Sequence, residues 1–292
     1  MRLGILDSPG TSPKARVLEM KFAICQEIFE DWDWERQCRF IAQVGYQGIE
    51  VAPFALAERI TDLSHDRRRV LRQQAADNGL QIIGLHWLLA KTTGLHFTSG
   101  DSAVRKATAE YLVALGSACA DLGGEILVFG SPAQRSLKPG TSREEGFVRA
   151  ADVLRQCLPA LADRGVKFCL EPLTPQETNF LNTCADAVEL IDQVGEPNLR
   201  LHQDVKAMLS EPETIPSLIA RYRTRVGHFH ANDSNLQGPG MGPTDLVPIF
   251  RALVDTKYAG WVSVEPFDYS PGCERLARES LANMREALAR VG

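Results

Sequence analysis

FCLE at Phe168–Glu171, LRLHQD at Leu199–Asp204, VGHFH at Val226–His230 and WVSVE at Trp261–Glu265 are short apolar runs, each closing on a residue able to hold a metal ion. The closing residues lie 33, 26 and 35 positions apart. In a barrel of parallel strands every C-terminal end points at one face, so tips distant in sequence meet in space. Three carboxylates and one imidazole on four such tips predict a rim site for a hard divalent cation. The set suits Mn²⁺, Mg²⁺ or Co²⁺, and Zn²⁺ less specifically.

Outward from these four runs a strand-then-helix rhythm extends in both directions. Earlier strands read KFAICQ from Lys21, GYQGIEVAPF from Gly45, QIIGLHW from Gln81 and EILVFG from Glu125. Helices are expected over Trp34–Val44, Arg67–Asn78, Asp101–Leu122, Ser142–Arg164, Thr183–Val194, Glu213–Arg221, Thr244–Val254 and Glu274–Arg290. Asp31 or Asp33 would open the first helix, and Thr141 or Ser142 the fourth, with Glu145 at capping-box spacing. Apolar runs of four to six residues between glycines are what parallel strands buried on both faces require. Eight βα units predict an α/β protein, a closed (β/α)8 TIM barrel. An open doubly wound sheet is disfavoured, because no GxGxxG follows the first strand.

The 292 residues are consistent with a single barrel domain over residues 20–292. Residues 1–19 hold Pro9, Gly10, Ser12 and Pro13 and read as a flexible N-terminal extension without the apolar core of a signal peptide. Either Met1 or Met20 could be the true start. A net charge of −5 argues against a nucleic-acid partner. No apolar stretch is long enough to span a membrane. Seven cysteines without a CxxC pair read as reduced thiols in a cytoplasmic protein.

Ionised groups are almost never buried unpaired, so a carboxylate ending an apolar strand is poorly explained by packing. Each of Glu171, Asp204 and Glu265 alone could form a rim salt bridge. Together, at matching height, they point to a metal. His228 and His230 share one side of their strand, and His230 is the expected ligand because it lies at the strand end. A cation on adjacent substrate oxygens acidifies the C–H between them. Glu171 and Glu265 could then remove a proton and return one, which is isomerisation or epimerisation beside a carbonyl.

The tips LEPL, HQDV, HFHAND and SVEPF, with the tail GPGMGPTDLVPIF, resemble the xylose isomerase-like barrel superfamily and its sugar phosphate isomerase/epimerase group, which includes D-tagatose 3-epimerase and hydroxypyruvate isomerase. The resemblance covers Lys21 to Arg290 and is most specific in the second half. It implies that Glu171, Asp204, His230 and Glu265 bind Mn²⁺ or a similar ion, and that the two glutamates transfer protons to and from a keto-sugar or related polyol. It also implies a substrate contact from Glu177, six residues after Glu171, and leaves room for a homo-oligomer. Two departures stand out. Ketose epimerases have a histidine where this chain has Ala207 and an arginine where it has Leu236. Lys206 could replace the missing contact or protonate a leaving group.

Around the rim, Glu27 after strand one and Glu50 within strand two are further polar positions, His86 is a further candidate for a substrate hydrogen bond, and Trp87 and Phe267 for stacking on a sugar face. Asn232 and Asp233 could orient ligands. Three other functions remain open. A lyase could use the same site to expel a β-substituent from a 3-keto-glycoside. An apurinic endonuclease would need extra histidines, one of them at Ala207. A non-catalytic sugar-binding barrel would not need the full ligand set.

Overall fold

Runs such as QIIGL and ILVF carry apolar side chains at successive positions, so they need cover on both faces, and a parallel sheet wrapped in helices supplies it. The computed structural model describes residues 20–291, and the extension expected over residues 1–19 lies outside the described residues. Eight strands pair in parallel and in sequence order into a closed barrel. They are β1 (Lys21–Cys25), β2 (Gly48–Val51), β3 (Gln81–Leu85), β4 (Ile126–Phe129), β5 (Lys167–Leu170), β6 (Leu199–Asp204), β7 (Val226–Ala231) and β8 (Trp261–Val264). Closure is made by β1 against β8, with Ala23 opposite Ser263.

The helices are α1 (Trp34–Val44), α2 (His65–Asp77), α3 (Ser102–Leu122), α4 (Arg143–Asp163), α5 (Cys184–Val194), α6 (Val205–Met208), α7 (Ile215–Tyr222), α8 (Leu246–Asp255) and α9 (Cys273–Ala289). Asp33 caps α1 by accepting from the Arg36 amide at 2.8 Å. Ser142 and Glu145 close the capping box of α4. The one-turn helix α6 departs from the expected plan. It forms because the Asp204 carboxylate, at the tip of β6, accepts from the Ala207 amide at 2.8 Å and so caps a helix while facing the barrel mouth.

A large apolar layer packs between the strands and the helix ring. The barrel interior is divided. A separate apolar cluster of Ala23, Ile83, Ile126, Val128, Cys169 and Trp261 fills its lower part. Gly48 gives that cluster room, since a Cβ there would meet Ile83 and Trp261 at 2.8 Å. Above it, where barrels usually stack branched aliphatics, Cys25, Glu50, His202, His228 and Ser263 are fully buried. All seven cysteines are free thiols, six of them buried. No helix among the described residues is long and apolar enough to cross a membrane.

Candidate active site

The closing residues of β5 to β8 converge at the C-terminal mouth. Glu171, Asp204, His230 and Glu265 are each 5% exposed or less. Ligand-capable atoms of Glu171, Asp204, His230 and also His202 lie within 4.8 Å of one another. Glu265 joins through His230, whose Nδ1 is 2.9 Å from Glu265 Oε2. Its other oxygen, Oε1, is 3.0 Å from His86 Nδ1, so two imidazoles hold this carboxylate.

Electrostatics set these acids apart. Burial, then the charges of Glu265 and Asp204, push Glu171 up to about 8. Burial raises Asp204 too. Burial also works against the charged form of Glu265, yet His230 and His86 outweigh it and hold this carboxyl below the usual range. His230 is raised: burial opposes its charge, but Glu265 and Glu50 prevail. Three carboxylates desolvated beside one another, with imidazoles and Lys206 as their counter-charges, make a site whose repulsion a divalent cation would remove. The donor set and its burial therefore fit such an ion.

Residues around the quartet fix its members. Asn232 donates to Asp204 Oδ2 at 2.6 Å and accepts from the Lys206 amide at 2.8 Å. Asp233 does something else. It accepts from Ser234, Gly242 and Thr244 and so shapes the loop before α8. Arg135 is fully buried behind the mouth and donates to the carbonyls of Glu171, at 2.5 Å, and Leu181, at 3.3 Å. Gly130 packs against the Glu171 carboxylate so closely that a Cβ there would collide with Oε2.

The cleft over the mouth is bordered by His86, Trp87, Ser131, Glu171, Glu177, Glu265 and Phe267. Trp87 and Ser131 adopt φ of +53° and +38°, strain of a kind that concentrates at functional loops. The Trp87 and Phe267 rings face each other edge-on with centroids 6.4 Å apart. Glu177 accepts from Thr174 and lies 2.7 Å from Lys206 Nζ, which in turn sits 3.9 Å over the Phe267 ring. His86 reaches the cleft, but its second nitrogen is 2.9 Å from Glu27, so both ring nitrogens already meet carboxylates. Ala207 is buried, and Leu236, in a left-handed conformation, uses its carbonyl to accept from Phe267 and Asp268.

Sequence reading overlooked two residues of this centre, His202 and Arg135, and gave Glu50 no role beyond a polar position near the rim. Glu50 is a buried bridge, 2.9 Å from His228 Nε2 and 3.1 Å from His230 Nε2. Its setting inside GIEV was the available signal, since nothing apolar needs a carboxylate there. His202 could have been found from its spacing, two residues before Asp204 and hence on the same side of β6. Arg135 gave no signal, lying in a polar loop.

A parallel eight-stranded barrel that gathers acids and imidazoles at its strand C-termini defines the class of β/α barrels with a catalytic mouth. The profile of the xylose isomerase-like TIM barrel family matches residues 38–287, and the chain belongs to that family. A D-psicose 3-epimerase from Agrobacterium fabrum (strain C58 / ATCC 33970) is 30% identical over 247 residues, covering 81% of this chain and 82% of the relative. A fructoselysine 3-epimerase from Escherichia coli O157:H7 is 26% identical over 266 residues, 87% of this chain and 93% of that one. A crystal structure of D-psicose 3-epimerase in the presence of D-fructose aligns with a TM-score of 0.80 at 25% identity, over 94% of this chain and 100% of that one.

Proposed function

We propose that this protein is a divalent-metal-dependent epimerase or isomerase of a keto-sugar or related polyol, with Glu171 and Glu265 as the proton-transferring pair. One observation carries the reading: buried ligand-capable atoms of Glu171, Asp204 and His230 lie within 4.8 Å of one another, Glu265 joins them through His230, and a small cleft bordered by both glutamates overlies them. The relatives named above are sugar epimerases, which supports the same class of reaction.

Glu171, Asp204, His230 and Glu265 would hold the ion, Mn²⁺ by preference. When bound, the cation supplies Lewis acidity to the carbonyl and neighbouring hydroxyl oxygens of the substrate, which lowers the pKa of the C–H between them. Glu171 and Glu265 enter from strands separated by β6 and β7, so they approach a substrate in the cleft from different sides. One takes the proton from carbon, and the other returns a proton to the opposite face, which inverts the centre. His86 fixes the orientation of Glu265 and presents its ring edge to the cleft. Trp87 and Phe267 supply an apolar wall for a sugar face. Glu177 and Lys206 close the far side as an ion pair able to meet hydroxyl groups. The partner is a small carbohydrate.

The direct test is solvent exchange. Purified protein with Mn²⁺ should incorporate deuterium from D₂O at the carbon beside the carbonyl of a ketose or 3-keto-glycoside, and chelation should stop it. Absence of exchange across a broad ketose and keto-glycoside panel would sink the proposal. The lyase alternative shares the first proton abstraction and would reveal itself by a released aglycone.

Lys206→Met provides a further prediction. It removes the ion pair to Glu177, the cation over Phe267 and a charged donor to substrate hydroxyl groups, the last worth about 1.5 kcal/mol. KM should rise about ten-fold, and kcat should change less. Steady-state kinetics on the substrate found by exchange would check this, and an unchanged KM would remove Lys206 from the substrate contacts.

A further inference from the structure

We propose that His202 is an additional ligand, from below, to the mouth cation, and that its imidazole biases the site towards ions that accept nitrogen, such as Co²⁺ and Zn²⁺, over Mg²⁺. The inference rests on the metal reading of the preceding section and deepens it.

His202 is fully buried, and neither of its ring nitrogens has a hydrogen-bond partner. Burying a polar group in this state is costly, so proteins rarely tolerate it without a partner. The neighbours cannot supply one easily. His230 is held on both sides, by Glu265 and by Glu50. His228 has its Nε2 on Glu50, and its Nδ1 is itself buried without a hydrogen-bond partner, so the polar layer is left unsatisfied at two imidazoles. If the ring served packing alone, a leucine would fill this layer of the barrel without an orphaned nitrogen.

What the imidazole does reach is the mouth. One of its nitrogens lies with a carboxylate oxygen of Glu171, one of Asp204 and a nitrogen of His230, all four within 4.8 Å of one another. Because His202 precedes Asp204 by two residues on β6, it faces the barrel axis one layer deeper. A ligand from that side leaves the cleft side free for substrate. The β6–β7 pairing shifts register between Leu201 and His202, an irregularity at the place where the strand turns this side chain inward. Adding a second imidazole to hard carboxylates moves a site towards borderline ions.

The experiment uses the whole chain, loaded with Co²⁺ or Zn²⁺. X-ray absorption on the unmodified protein should count two imidazoles on the ion. His202→Leu should count one and bind Co²⁺ about 10–100-fold more weakly, at least the loss seen when an outer ligand support is removed. Its Mg²⁺ affinity should stay within about three-fold of the unmodified chain, because Mg²⁺ takes little from nitrogen. His202→Gln, which keeps polarity and length, serves the same comparison if the leucine variant does not fold. A single imidazole in the unmodified protein, or unaltered Co²⁺ affinity in a folded variant, would overturn the proposal while leaving the mouth site intact. Two ions per chain, with the variant losing one, would overturn it in favour of a separate site among His202, His228 and His230. A protein that binds no divalent ion would take down both readings.

Discussion

Glu171→Gln and Glu265→Gln should each lower turnover by about 10²- to 10⁴-fold, the usual contribution of a positioned proton-transfer group, while the barrel stays folded. Both side chains end strands whose backbones are fixed by the sheet, with the Glu171 amide bonded to the Phe129 carbonyl and the Glu265 amide to that of Ala231. An amide keeps the shape but cannot take a proton from carbon. The two variants should differ in a second readout. The variant that still exchanges deuterium into substrate without forming the epimer retains the abstracting base, so exchange and turnover together assign the two roles. Near-normal turnover in either variant, on a verified substrate, would discredit the two-carboxylate mechanism. Circular dichroism and melting separate lost chemistry from lost structure.

Arg135→Ala should be the most damaging substitution for stability, at about 3–5 kcal/mol from a lost buried group and the cavity left behind. The guanidinium is fully buried, and burial depresses it to about 10 even with Glu171 and Glu177 favouring its charge. Its donors tie the chain leaving β5, at the Glu171 carbonyl, to the Leu181 carbonyl in the loop before α5. Removing it orphans the Glu171 carbonyl, leaves the Leu181 carbonyl only its bond from the Leu173 amide, and frees the segment that carries Glu171 and Glu177. Melting should fall by roughly 10 °C for a chain of this size, and turnover should fall as well. A variant melting within about 2 °C of the parent would show that the clamp is dispensable.

The two predictions differ in how visible their residues are beforehand. Glu171 and Glu265 stand out in the linear chain because a carboxylate after FCL or WVSV has no packing role. Arg135 sits in PAQRS, where an arginine reads as a solvated loop charge. Only closure of the β4 and β5 loops over each other buries it. Helix limits fell within two residues of expectation for the eight long helices, since caps such as Asp33 and Ser142 act locally. The short helix α6 escaped notice because its cap, Asp204, was read for its reach into the mouth, and one carboxylate serves both purposes. His202 was missed and Glu50 was read only as a polar rim position, because the tips drew attention to one height of the barrel, whereas the polar groups continue a layer below.

By itself the sequence determined the eightfold alternation, the closed parallel barrel and the four strand tips that share one face. These follow from periodicity and from local turn and cap chemistry, which act between near neighbours in the chain. Tertiary structure alone decided which partners each tip meets: Glu265 between His86 and His230, Glu50 bridging two histidines, Arg135 behind Glu171, and His202 left without a hydrogen-bond partner. Those pairings depend on side chains separated by tens to hundreds of residues. Their charge states and contacts are set by distance and burial, and neither quantity exists until the barrel closes.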